Sequence, residues 1–437
     1  MEQFEKLGLS KEILYVIKEA GFTIPSEIQE KTIPLAIAGK DIIGGSATGS
    51  GKTLVFASPI IENLIPNHTV QSLILTPTRE LAEQVAMSIK RFAGNKRLNV
   101  LPVYGGVNIE QQIRKLHMTD VVVGTPGRIL DHLKRGTLKL NHIKILVLDE
   151  VDRMFDMGFS KDVETILRQC PTERQTMMFS ATITADVFYL AKKYTRNPIK
   201  ISAESHVDAS KLKQIYYDVP SEKKFSLFVH LLKEKTSGLS MVFCSTRRNV
   251  DFVAENLNRA GIRAQAIHGG LTQNNRTRVL DEFHRKNVKV LICTDIAGRG
   301  LDIKGVTYIY NYNLPKISTD YIHRIGRTAR AGEEGKVINL LSSEDYMNFG
   351  KIKEDDKLDI AEEELPNFEF VRIVKEARKS FSGRKGFSGE RSFTGRGNFS
   401  GRKSFSRRGT SKVNNRSNGR DNSRKSGGRN MFSRGRR

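Results

Sequence analysis

Two short stretches carry most of the chemistry legible in this chain. The first, SATGSGKT over residues 46–53, follows the apolar run IIGG and precedes LVFASPIIENLI. A strand, a glycine-rich loop and a helix in that order set backbone N–H groups and a helix N-terminus around an anion. Thr48, Gly49, Ser50 and Gly51 therefore form a candidate phosphate cradle, with Lys52 reaching the outer phosphates and Thr53 placed for Mg²⁺. The second stretch, ILVLDEVD over 145–152, ends four apolar residues in two adjacent carboxylates, Asp149 and Glu150. Ligands of open α/β sheets bind at the carboxyl ends of buried strands. One carboxylate there can hold the metal while its neighbour orients and deprotonates an attacking water. The chemistry implied is triphosphate hydrolysis.

The elements that must position these groups follow a repeating pattern between residues 40 and 345. Short apolar runs alternate with turns and helical periods, as in SLILTPTRELAEQVAMSIKRF (72–92), VVVGTPGRILDHL (121–133) and LSMVFCSTRRNVDFVAENL (239–257). Apolar strands alternating with amphipathic helices imply parallel sheets covered on both faces. Ten or more strands in one sheet would be unusual, and the polar stretch ISAESHVDASKLKQ (201–214) interrupts the pattern near its middle. The expected fold is α/β, with two doubly wound parallel-sheet lobes over 1–205 and 212–360 joined by a linker, 206–211. The acidic KEDDKLDIAEEELP (353–366) reads as a solvated exit from the second lobe, with 361–377 as a connector.

Charge separates the end of the chain from the rest. Residues 378–437 contain 19 Lys or Arg and only Glu390 and Asp421 as acids, so +17 of the net +24 lies there. Phe381, Phe387, Phe393, Phe399 and Phe405 recur at every sixth position among Arg and Gly. Too few apolar groups are present to offset ordering entropy, so a disordered basic tail is expected. Such a tail attracts polyanions by counterion release, and each Phe can stack on an unpaired base. Cys170, Cys244 and Cys293 are widely spaced and lie in or beside apolar runs, as small buried side chains in a reducing cytoplasm. No stretch approaches the apolar length needed to cross a bilayer.

GFTIPSEIQ (21–29), SATGSGKT (46–53), PTRELA (77–82), GG (105–106), TPGR (125–128), DEVD (149–152), SAT (180–182), VFCST (242–246), QNNR (273–276), TDIAGRGLDI (294–303) and HRIGRTAR (323–330) occur in this order. Together they resemble the DEAD-box ATP-dependent RNA helicases from residue 4 to about 345. The resemblance implies two tandem RecA-like lobes, ATP and Mg²⁺ as cofactors, and an RNA-stimulated ATPase that opens short duplexes. It implies that Phe22 stacks on adenine, Gln29 reads its edge, and Asp302 contacts the ribose. Lys52, Thr53 and Asp149 would hold phosphates and Mg²⁺, and Glu150 would be the general base. Arg327 and Arg330, with His323 just before them, would reach across from the second lobe to the γ-phosphate. Thr78, Arg79, Gly106, Thr125 and Arg128 on the first lobe resemble RNA-contacting positions, as do Thr246, Gly269, Arg276 and Thr294 on the second. Ser180, Thr182 and His323 would couple the two sites.

The implied partner is RNA without sequence preference, single-stranded or as short duplex, with ribosomal precursors and the decay machinery as settings that suit a basic tail. A monomeric core in a bacterial cytoplasm is expected. An ATP-gated RNA clamp would use the same residues, and a DNA-dependent ATPase would share the backbone contacts. Four residues depart from the family pattern: Ser46 for Ala, Val151 for Ala, Gly298 for Ala and Ala329 for Gly. The last would strain the backbone if that position needs a positive φ.

Overall fold

The structure is a computed structural model that describes residues 1–45, 51–94, 96–202, 212–234, 238–298, 303, 305–329, 334–355 and 358–374. Ser46, Thr48, Gly49, Ser50, Asp302, Arg330, the linker 206–211 and the tail 378–437 lie outside the described residues.

Among the described residues, the apolar runs pair into two seven-stranded sheets. The first contains β1 (Ile42–Gly45), β2 (Ser72–Leu75), β3 (Val100–Val103), β4 (Val121–Gly124), β5 (Ile145–Leu148), β6 (Gln175–Ser180) and β7 (Ile199–Ser202). Their order is β3-β4-β2-β5-β6-β1-β7, and every pairing is parallel. The second contains β8 (Leu212–Asp218), β9 (Leu239–Phe243), β10 (Ala264–Ile267), β11 (Val290–Cys293), β12 (Val306–Asn311), β13 (Gly335–Leu341) and β14 (Ala361–Glu362). Its order, β10-β11-β9-β12-β13-β8-β14, also wholly parallel, repeats the first strand for strand. The expected fold class is thus observed.

Side chains alternate across each strand, so a run that is apolar at every position must bury both faces. In β5, Ile145 and Val147 join one core while Leu146 and Leu148 join the other, and β2 divides Ile74 from Leu73 and Leu75 in the same way. The helices Lys52–Asn63 and Arg79–Ala93 cover the first of these faces, and Pro126–Lys134 and Ser160–Leu167 the second.

All the strands of a parallel sheet end on one edge, and the segments expected to do chemistry leave from it. Asp149 directly follows β5, Thr125 follows β4, and Thr294 follows β11. The chain leaving β1 re-enters a helix at Lys52, through Gly51 at φ +89°, a backbone shape that favours glycine. The second lobe repeats this path: the chain leaving β8 enters the helix Lys224–Glu234. The buried Lys224 places its Nζ 2.6 Å from Asp345 Oδ2, 3.2 Å from Ser342 Oγ and 5.4 Å from the centre of the Tyr312 ring.

The expected end of the second lobe at 360 is too early. Ala361 and Glu362 pair with Ile215 and Tyr216 of β8, and Phe368, Val371 and Ile373 pack on the second lobe's core. The backbone N–H groups of Val371 and Val374 donate to Ser226 Oγ (3.0 Å) and Asn256 Oδ1 (2.9 Å). The acidic segment is anchored as well as solvated, because its carboxylates find partners at the surface: Glu363 meets Lys213 at 2.8 Å and Glu362 accepts from the Tyr216 hydroxyl at 2.8 Å. The three cysteines are free and buried, as expected, and burial pushes the thiols of Cys170 and Cys244 up to about 11 and about 12. Among the described residues no helix is long and apolar enough to cross a membrane.

Three of the four departures can be located. Val151 is fully buried in the core beneath β5, where its extra methyls pack. Ala329 has φ +52°, a conformation that costs a non-glycine residue about 1–2 kcal/mol. A Cβ on Gly298 would lie 2.6 Å from Cys293 Sγ and 2.7 Å from the Phe243 ring, so glycine is required here by the neighbours this chain has. Gly298→Ala is expected to destabilise the protein by about 1–3 kcal/mol, as overpacking does. Adding Cys293→Ala should recover part of that loss in denaturant unfolding; equal stability of Gly298→Ala and wild type would exclude the clash.

Candidate active site

The expected nucleotide side is built from the carboxyl ends of β1 and β5. Lys52 Nζ lies 3.5 Å from Asp149 Oδ1, and both side chains are about 95% buried. Burial raises the Asp149 carboxyl above its ordinary range; the Lys52 ammonium opposes that rise, and the adjacent Glu150 charge adds to it. Glu150 caps the helix Val151–Asp156 in a left-handed conformation, φ +52° and ψ 54°. Its Oε2 lies 3.2 Å from Arg153 Nη1, again a buried pair. Two carboxylates thus face two cations, Asp149 with Lys52 and Glu150 with Arg153.

The helix Glu27–Ile37 brings Gln29 to this side. Gln29 Oε1 accepts from the Ser26 N–H at 3.0 Å, capping its own helix, while Nε2 donates to Gly51 O at 3.1 Å. A Cβ on Gly51 would collide with that amide. Phe22 packs half-buried against the core that contains the fully buried Phe4. Thr53 follows Lys52 in the helix and is half-buried. On the second lobe, Arg327 is 2% exposed and His323 is half-buried.

The expected RNA positions converge from both lobes. A cavity of about 410 Å³ is lined by Thr78, Arg79, Thr125 and Arg128 from the first lobe and by Gly269 and Arg276 from the second. Gly106 lies against the Arg79 guanidinium at its margin. Thr246 and Thr294 do not line it. Thr78 and Thr246 cap their own helices, accepting from Leu81 N (3.3 Å) and Asn249 N (3.1 Å). A hydroxyl that accepts in this way keeps its proton to donate. Arg276 is engaged within the protein: its Nε donates to Glu80 Oε1 at 2.7 Å across the two lobes, both side chains being less than 10% exposed. Gln273 Nε2 adds a longer contact to the same oxygen, 3.4 Å.

Sequence reasoning missed four residues that hold these groups in place. Glu80 joins the lobes. Gln112, 5% exposed, accepts from Arg128 Nη1 at 2.9 Å and meets His132 Nε2 at 3.1 Å. Burial and the Arg128 charge lower the His132 pKa, keeping the ring neutral. Asp152 Oδ2 accepts from both the N–H and the hydroxyl of Thr182 at 2.8 Å, while the Asp152 N–H donates to Ser180 Oγ at 3.3 Å. Arg153 pairs with Glu150. A signal existed for the last, since residues three apart on a helix meet.

A buried lysine opening the helix after β1, an acid pair at the end of β5 on the same sheet edge and a second sheet of the same order make the chain a two-lobed RecA-like ATPase of the helicase class. The DEAD/DEAH box helicase family model matches residues 26–189, and the helicase conserved C-terminal domain matches residues 223–332. The DEAD-box ATP-dependent RNA helicase CshA of Geobacillus kaustophilus is 44% identical over 346 residues, which cover 78% of this chain and 74% of that protein. The chain belongs to the DEAD-box ATP-dependent RNA helicases. S. cerevisiae Dbp5 bound to RNA and ADP BeF3 matches with a TM-score of 0.76 at 31% identity, over 83% of this chain and 95% of that one. A single-substitution variant of the yeast protein bound to Nup159, a Gle1 variant, IP6 and ADP matches at 0.59 and 29% identity, over 82% and 96%.

Proposed function

We propose that ATP binding draws the two lobes, 1–205 and the second lobe from 212, together around RNA, and that RNA-stimulated hydrolysis resets them after a few base pairs have been separated. The observation that carries this reading is the cavity shared by the lobes, lined by threonines, glycines and arginines of the first and by Gly269 and Arg276 of the second. Hydroxyls, backbone and guanidinium groups suit phosphate and 2′-OH contacts rather than base edges, so binding is independent of sequence. The better match to the yeast protein holding RNA and a nucleotide than to its variant with ADP and other partners supports a closed arrangement of the lobes.

At the nucleotide, Lys52 and the loop through Thr48, Gly49, Ser50 and Gly51 hold phosphates, Phe22 and Gln29 select adenine, and Asp302 meets the ribose. The buried carboxylate of Asp149 and the Thr53 hydroxyl are hard-oxygen donors of the kind that suits Mg²⁺. Bound there, the metal would neutralise charge on the phosphates. Glu150 accepts the proton of the attacking water, and Arg327 and Arg330 stabilise charge on the transferring phosphoryl group. Ser180 and Thr182, tied to Asp152, connect this side to the RNA side, with His323 in the same role on the second lobe. The tail is a sequence-tolerant RNA tether, in a cytoplasmic enzyme acting on ribosomal precursors or decay intermediates.

The test is a labelled short RNA duplex incubated with ATP and either the full chain or one ending at residue 377. Strand separation should require ATP in both. The shorter chain should bind RNA more weakly, with a visibly flatter salt dependence, because it lacks the tail's phosphate contacts. A duplex that stays intact under excess ATP and protein overturns unwinding in favour of an ATP-gated clamp.

A further inference from the structure

We propose that Arg153 is a positioning residue that holds the Glu150 carboxylate and transmits to it the state of the Ser180–Thr182 segment. The inference rests on Glu150 being the general base. Three observations support it.

Arg153 is 2% exposed, among the largest fully buried side chains, and its Nη1 lies 3.2 Å from Glu150 Oε2. Its Nη2 is also buried, with no hydrogen-bond partner among the described residues. A buried guanidinium with half of its fork unused is a poor device for stability, since an apolar side chain of similar length would fill the space without desolvating a charge. What the arginine adds is a directed contact to one carboxylate.

Glu150 has a left-handed backbone, φ +52°. A residue held in such a conformation depends on its surroundings to remain there. The side chain that a base must aim at water is therefore aimed by its neighbours, and Arg153 is a buried cation that touches it.

The third observation is shared geometry. The helix Val151–Asp156 carries both Asp152 and Arg153. Asp152 is fastened to Thr182 by two 2.8 Å hydrogen bonds and to Ser180 by its own N–H. A displacement of the 180–182 segment moves this one-and-a-half-turn helix as a unit, and with it the guanidinium that holds Glu150. RNA binding that displaces Ser180 and Thr182 would in this way adjust the base without touching it.

The test compares Arg153→Met, which keeps length and removes charge, with Arg153→Lys, which keeps charge and loses the fork. Each is measured for thermal stability, ATP KM, and kcat with and without saturating RNA. Arg153→Met is expected to keep its KM within about threefold while the RNA-stimulated kcat falls about 10–100-fold, the scale of lost outer-shell contacts. The ratio of RNA-stimulated to basal rate should fall with it, and Arg153→Lys should recover part of both. A purely packing role would leave that ratio unmoved. Wild-type kcat in either folded variant overturns the proposal; if Arg153→Met does not fold, Arg153→Lys alone decides, with an unchanged kcat and RNA stimulation counting against it. Glu150→Gln separates the two layers. Turnover surviving in that variant removes the general-base reading, whereas its loss beside an unaffected Arg153→Met removes this inference only.

Discussion

Glu150→Gln is expected to lower kcat for ATP hydrolysis by about 10²–10⁴-fold, the range a positioned general base supplies, while ATP and RNA still bind. The amide keeps the shape of the side chain and removes its capacity to take a proton. Lys52 and Asp149, the residues proposed to hold the phosphates and Mg²⁺, are untouched. Single-turnover hydrolysis with saturating RNA measures the first part, and titrations of nucleotide and RNA the second. A variant that no longer binds nucleotide would show Glu150 to be a structural partner of Arg153 and nothing more. Because the pair is buried, the variant's folding should be confirmed by its unfolding midpoint.

The second large effect concerns the pair that joins the lobes. Arg276→Met leaves the Glu80 carboxylate, 4% exposed, without its cation. Breaking a buried pair from one side typically costs about 3–5 kcal/mol. Here the protein has a cheaper way out than unfolding: the lobes can part and hydrate Glu80. The expected result is therefore a larger separation between lobes labelled for energy transfer, together with loss of the mutual strengthening of ATP and RNA binding. Arg276 is also an expected RNA contact, so the single variant confounds two roles. Glu80→Leu combined with Arg276→Met restores an uncharged, packed junction and should bring the lobes back together even if RNA affinity stays low. Wild-type separation in Arg276→Met would mean that the ion pair does not govern closure.

These effects depend on residues of very different legibility. Strands such as ILVL and VVVG are continuous apolar runs in the sequence, and a strand buried on both faces must be one. The acid pair at the end of β5 and the lysine opening the helix after β1 could be placed because parallel strands deliver their carboxyl ends to one edge. Glu80 was hidden for a physical reason. An acid in the first turn of a helix is satisfied by the helix dipole alone, and its true partner is 196 residues away in the chain. Gln112 was equally silent, since a single amide in an amphipathic helix has no period to break. The lobe boundary at 360 failed because AEEE reads as solvated, whereas β14 is held by backbone pairing with β8 and by carboxylate partners far away in the chain, Lys213 and Tyr216.

The strand-for-strand repetition of the two sheets marks the molecule as a doubled module whose halves have diverged. In the later half, the ammonium at the start of Lys224–Glu234 is already neutralised by Asp345 and roofed by Tyr312, and the preceding VPSEK contains no glycine to wrap an anion. Only the earlier half carries a glycine-rich sequence ahead of its lysine. Saturation should accordingly occur at a single triphosphate per polypeptide, and the silent copy contributes reach and leverage instead of a second turnover.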